Sequence, residues 1–181
     1  MGTTSFTIGV CYAASSSRRF HRRCGRCKWR YRKRHTAKPA FISAKQLDEV
    51  SFAQVMHINA APPALLLAAL KPSLQGKHAT IIASLSARVG SITDNGYGGW
   101  YSYRASKAAH NMLLRTAAIE LKRLNKQSIV LCLQKPFQAR VPTEKLFSAE
   151  FVVKQLIDVM AKRSQETTGS FWDCAGEPID W

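Results

Sequence analysis

Acidic residues are missing from the first quarter of this chain. Residues 1–47 hold twelve of the 27 Lys and Arg and no Asp or Glu; the first carboxylate is Asp48. The remaining 134 residues carry fifteen basic and eleven acidic side chains, so the formal net charge of +16 belongs mainly to the N-terminal segment. Such asymmetry marks a tail or an added segment rather than a uniformly basic domain. Long apolar runs are also lacking. None reaches the ~18 residues of a membrane span, which makes a cytoplasmic protein without a membrane partner the expectation. Cysteine is sparse: Cys11, Cys24, Cys27, Cys132 and Cys174 are odd in number and scattered, which argues against a disulfide framework. Cys132 lies in the apolar run IVLCL and reads as an inert core thiol.

The basic stretch SSSRRFHRRCGRCKWRYRKRH (15–35) interleaves Arg with Phe20, Trp29 and Tyr31. Clustered positive charge with aromatics suits nucleic-acid binding. Arg and Ser without acids also suit an organellar transit peptide. His21, Cys24, Cys27 and His35 offer zinc donors, although one CxxC lacks the paired spacing of structural sites. The plainest reading is a disordered segment held open by charge repulsion, and a frameshift or misassigned start would leave a similar composition. A secretory signal is not expected, because no Lys or Arg precedes the apolar FTIGVCYAA (6–14); Phe6 rules out the myristoylation pattern. FTIGVCY alternates weakly and is a candidate strand.

From about residue 45 the pattern becomes regular. Residues 47–74 have helical period, with Phe52, Val55, Met56 and Asn59 near one face, and Pro62–Pro63 should kink or divide the helix. HATIIASLSA (78–87) reads as a buried strand. A glycine-rich loop, 90–100, leads into the strongest helix, 102–125, whose expected inner stripe is Ala109, Met112, Leu113, Thr116, Ala117, Leu121 and Leu124. SIVLCL (128–133) is a second buried strand, 149–163 a further amphipathic helix, and 169–181 a short strand and turn. Helix alternating with strand predicts an α/β sandwich around a parallel sheet of three or four strands.

The chemistry-bearing feature is YSYRASK (101–107). Residues four apart share a helix face, so Tyr103 and Lys107 point the same way. A free phenol titrates near pH 10. An ammonium at ~4 Å and an effective dielectric near 20 would favour the phenolate by up to about 4 kcal/mol, roughly three pKa units. Such a pair can exchange a proton with a carbonyl or alcohol oxygen; alone, it is equally an exposed pair of little consequence. A strand, a loop carrying Ser91, and then Tyr103 bring a hydroxyl and the phenol to one strand end, where α/β sheets bind ligands. Asn59 faces that crevice, or is satisfied locally beside the proline pair.

SARVGSITDNGYGGWYSYRASKAAHNMLLRTAAIEL resembles the active-site region of the short-chain dehydrogenases/reductases, most nearly the branch of C-factor-like signalling proteins and sniffer-type carbonyl reductases. The resemblance covers about residues 38–181 and is strongest over 86–121. It implies a partial Rossmann-like three-layer sandwich and a tetrad of Asn59, Ser91, Tyr103 and Lys107. Tyr103 would be the acid/base. Lys107 would lower its pKa and, with it, hold the ribose of an NAD(P) cofactor, while Ser91 would orient the substrate oxygen and Asn59 a relay water. Ser86 is a second candidate serine, seventeen residues ahead of Tyr103. The substrate would be a small carbonyl or alcohol, and helices 52–70 and 103–123 would form a homodimer.

The family's Thr-Gly-x3-Gly-x-Gly turn, its Asn-Asn-Ala-Gly segment and, around KPFQ (135–138), its nicotinamide loop have no counterpart here. Without them the first βα units are expected to be missing. A basic segment (1–37) would precede an incomplete catalytic half (38–181). Three functions stay open: an NAD(P)-dependent short-chain oxidoreductase, a non-catalytic remnant dimerising through its helices, and a nucleic-acid-binding protein acting through residues 15–35.

Overall fold

β3, Ser128–Gln134, sets the layering. Its side chains alternate between two apolar clusters. Val130 and Cys132 face one side; Ile129, Leu131 and Leu133 face the other, and all five are buried. A strand apolar on both faces needs cover on both faces, the mark of a parallel sheet inside a sandwich. The computed structural model describes residues 47–134, 136 and 147–181, with the backbone of 9–11. The basic stretch 15–35, its candidate zinc donors and most of the segment after KPFQ lie outside the described residues.

The described elements run β1 (Gly9–Cys11), α1 (Glu49–Leu74), β2 (Thr80–Ser86), α2 (Tyr101–Leu124), β3, α3 (Ala149–Ala161) and β4 (Ser170–Trp172). The four strands are parallel and lie side by side in that order. The seven-residue β2–β3 ladder, Thr80↔Ser128 to Ser86↔Gln134, is its centre. The candidate strand in FTIGVCY is present as a three-residue edge, Gly9↔Ile82 to Cys11↔Ser84. α1 and α2 cover the Val130–Cys132 side together with Phe171 and Ile179. α3 covers the other through Leu156, Val159 and Met160.

Local chemistry starts the helices. Asp48 accepts the Ser51 amide at 2.8 Å to cap α1, and Ser148 accepts the Phe151 amide at 3.1 Å to cap α3. Asn125, 1% exposed, closes the far end of the layer. Its amide nitrogen donates to the Leu74 and His78 carbonyls at 3.0 and 2.9 Å, while its oxygen accepts from the Gln127 amide at 2.9 Å.

Two expectations, on α1 and on α2, are corrected. α1 is one helix rather than two, continuous through Pro62, Pro63 and Pro72; Ala60, Leu67 and Leu74, buried at seven-residue intervals, pack its second half and offset the backbone bonds the prolines lose. α1 is also long and apolar enough to cross a membrane by length and composition, although no unbroken apolar run signals it. Finally, α2 does not bury the expected stripe. Met112, Leu113 and Leu124 are exposed, whereas Ser102, Ser106, Lys107, His110, Asn111, Leu114, Ala118 and Leu121 are buried. Polar groups at the end of β2 draw the polar stripe of α2 inward.

Candidate functional site

The C-terminal end of β2 and the first half of α2 meet in a buried polar seam. Three successive β2 residues engage α2. Ser84 Oγ and His110 Nε2 are 2.9 Å apart, the Leu85 carbonyl accepts from Lys107 Nζ at 3.5 Å, and Ser86 Oγ donates to Asn111 Oδ1. These bonds set the register of α2 on the strand.

Between the two elements the chain makes a short 3-10 turn, Arg88–Gly90, and delivers Ser91. Gly90 is required by contact. A Cβ there would stand 2.7 Å from Lys107 Cβ and 2.8 Å from the Lys107 carbonyl carbon, so only glycine lets α2 approach this closely. Ser91, 2% exposed, is thereby set beside the helix turn that carries Lys107. Its hydroxyl accepts from the Asp94 amide at 3.0 Å, which leaves its own proton available to another acceptor. Ser86, by contrast, donates its proton to Asn111. Trp100 enters α2 in the left-handed region at φ 52°. Arg104 holds the loop before it, donating Nε to the Gly99 carbonyl at 3.1 Å and Nη1 to the Val89 carbonyl at 3.3 Å.

Tyr103 is half-buried, and the Lys107 ammonium lies 5.9 Å from its ring centre, so the two share one helix face. The expected lowering of the phenol does not follow. Burial pushes Tyr103 above its ordinary value, because the ammonium turns inward toward the Leu85 carbonyl and desolvation dominates. Asn59, on α1, donates to Ser106 Oγ at 3.1 Å, and that hydroxyl donates to the Tyr103 carbonyl at 2.8 Å. Asn59 is thus tied across the helix pair to the backbone that carries the phenol. Asn59 and Tyr103 are linked across the α1–α2 pair, Lys107 lies between the Tyr103 ring and the Leu85 carbonyl, and the Gly90 contact sets Ser91 next to the Lys107 turn.

Gly90, Ser106 and His110 are further members of this arrangement, and each carries a spacing signal in the sequence. Ser106 follows Tyr103, and His110 follows Lys107, by one helix turn, while Gly90 precedes the candidate serine. His110 is 1% exposed and pushed down to about 4, by burial first and by the Lys107 charge second. It is neutral at physiological pH, which leaves the positive charge of the seam on Lys107. Its Nδ1 finds no partner among the described residues. Cys132 is buried and its thiol pushed far up by burial, as befits an inert core group.

The acid/base end of a dinucleotide site fits the residues present. Among the described residues no succession of strand, glycine-rich turn and helix precedes α1 to take its phosphates, and β2's outer neighbour is three residues long. Two described cavities lie elsewhere, a shallow groove of about 260 Å³ beside Leu47 and Phe52 and an apolar gap of about 60 Å³ between α1 and β2.

Comparison with known proteins bears on this geometry. The model of the short chain dehydrogenase family matches residues 39–134. C-signal of Myxococcus xanthus is 28% identical over 138 residues, 75% of this chain and 81% of that protein. The 1-hydroxy-2-glutathionyl-2-methyl-3-butene dehydrogenase of Rhodococcus sp. (strain AD45) is 30% identical over 143 residues, 75% of this chain and 61% of its own. The NADPH-bound carbonyl reductase from chicken fatty liver has the same fold, with a TM-score of 0.68 at 23% identity, covering 81% of this chain and 64% of that one. The carbonyl reductase Sniffer of D. melanogaster gives 0.69 at 20% identity, with 82% and 64% covered. The chain thus spans less than two thirds of these solved structures, a partial form of their fold.

Proposed function

We propose a function from one premise: the chain belongs to the short-chain dehydrogenase family, an oxidoreductase family. The reading is carbonyl reduction with Tyr103 as proton donor, Ser91 orienting the substrate oxygen, and Lys107 and Asn59 holding the donor in place. What supports it most is the convergence on one helix end: Tyr103 over Lys107, Asn59 linked through Ser106, and Ser91 brought in by the Gly90 contact.

A phenol raised by burial stays protonated across the neutral range, which suits a donor to a developing alkoxide and so favours reduction over alcohol oxidation at neutral pH. The Ser91 hydroxyl, accepting from the Asp94 amide, has its proton free for the carbonyl oxygen. Lys107 lies 5.9 Å from the Tyr103 ring centre and donates to the Leu85 carbonyl, which packs this turn of α2 on β2, and neutral His110 keeps a second cation out of the seam. NAD(P)H, when bound, supplies the hydride to the carbonyl carbon. Tyr103 and Lys107 are the residues of this chain that would hold its reacting end.

The test is NADPH and NADH consumption against a panel of small aldehydes and ketones, with tryptophan fluorescence reporting cofactor binding. The expected result is turnover in the wild-type chain that falls at least about 100-fold in Tyr103→Phe. No turnover above that variant, with no fluorescence change at millimolar cofactor, would overturn the assignment.

A second reading rests on a separate observation. Leu65 and Leu70 on α1, and Met112, Leu113 and Leu124 on α2, are exposed apolar side chains on the paired helices. Two copies joining these helices would cover them, giving a dimer with or without catalysis. A monomer by size-exclusion chromatography with light scattering would dispose of it.

A further inference from the structure

The loop that carries Ser91 is tied to the C-terminal strand segment at two places. The Thr93 amide and hydroxyl both donate to the Trp181 backbone oxygen, at 3.2 and 2.9 Å. Arg88 reaches Asp94 within the loop at 3.4 Å and Asp173 across it at 3.6 Å. The far side of this clasp is itself anchored. The Trp181 indole stacks on Phe171, centroids 5.6 Å apart, and Phe171 is 1% exposed in the core beside β3. The Ile179 amide donates to the Phe171 carbonyl at 2.8 Å, closing the C-terminal turn over the same ring. A path of contacts therefore runs from the core, through Phe171 and Trp181, to Thr93.

We infer that Thr93 is a positioning residue for Ser91, holding the Ser91–Asp94 turn against the C-terminal segment so that the serine hydroxyl stays aimed at the Tyr103 end of α2. The Ser91 hydroxyl accepts from the Asp94 amide, one residue past Thr93. Fixing Thr93 fixes that amide, and the amide orients the hydroxyl. Thr93 and Asp94 are exposed, so water competes for each of these bonds and no single one is strong. Two donors converging on one oxygen, on a segment stapled to the core, give the turn one preferred position. Serine's part in catalysis rests on the reaction proposed above; the clasp itself does not.

The experiment is residue-resolved amide hydrogen exchange on the whole chain, comparing wild type with Thr93→Val and Thr93→Ser. Valine keeps the shape and loses the hydroxyl donor, while serine keeps the donor. Because Thr93 is exposed, neither change disturbs the core, and the β3 amides serve as the control for folding. Thr93→Val should speed exchange of the Asp94 amide about fivefold to tenfold against unchanged β3 amides, and Thr93→Ser should restore it to within about twofold. The kinetic arm is the loss of kcat in Thr93→Val with KM nearly unchanged, again restored by serine. Unaltered Asp94 exchange in Thr93→Val overturns the inference. If the wild-type chain turns over no carbonyl substrate, the reaction proposal falls, and the exchange arm still decides the clasp.

Discussion

Replacing His110 by Gln should flatten the acid side of the stability profile. In the folded chain the imidazole is sealed between Ser84 and α2, and it takes a proton only near pH 4; in the unfolded chain it does so at its ordinary 6.5. Between those values the unfolded state binds more protons, so stability rises with pH there and is lost as pH falls through the window. The full separation corresponds to about 3 kcal/mol below both values, and about 2 kcal/mol is already lost at about pH 5, above the ordinary carboxylate range. Glutamine offers an amide nitrogen to Ser84 and no titrating proton. Urea unfolding of both chains at about pH 7.5 and about pH 5 measures the difference. Wild type should lose about 2 kcal/mol more than His110→Gln over that interval. Equal losses in the two chains would mean that His110 is solvated or already charged, and the account of the seam would fail.

Gly90→Ala should lower stability by about 1–3 kcal/mol, seen as a reduced melting temperature, because the new Cβ meets the Lys107 backbone at 2.8 Å rather than a movable side-chain tip. Asn125→Ala leaves the Leu74 and His78 carbonyls and the Gln127 amide without their partner and should cost about 2–3 kcal/mol in denaturant unfolding. Leu131→Ala, at a fully buried position of the central strand, should cost about 2–5 kcal/mol by the same assay. Cys132 should resist thiol reagents in the folded chain and react on unfolding, as read by mass spectrometry of its peptide.

How much was legible differs between elements for physical reasons. β2, α2, β3 and α3 stand close to where periodicity and flanking residues put them, because a strand with two apolar faces and an amphipathic helix are local patterns. The inward face of α2 departs from its local pattern. Periodicity assigns the apolar stripe to the core, whereas here Ser84, Leu85 and Ser86 offer hydrogen-bond partners that draw Ser106, Lys107, His110 and Asn111 inward and leave Met112 and Leu113 outside. Pro62–Pro63 predicts a kink or a division of α1, and the helix is not divided. A proline's local cost is readable from sequence, but the Ala60–Leu67–Leu74 packing that outweighs it is not.

The sequence alone determined that Tyr103 and Lys107 share a face, since four residues is one helical turn whatever surrounds them. It also determined that residues 80–134 make a strand, helix and strand with buried centres, since alternation and run length are properties of the chain itself. Tertiary structure decided the sign of the phenol's displacement, the pairing of Ser86 with Asn111, and the contacts made by Gly90, Ser106 and Thr93. Each of these depends on a distance between groups far apart in the chain, or on how much water is excluded when they meet, and neither is defined until the helices have packed.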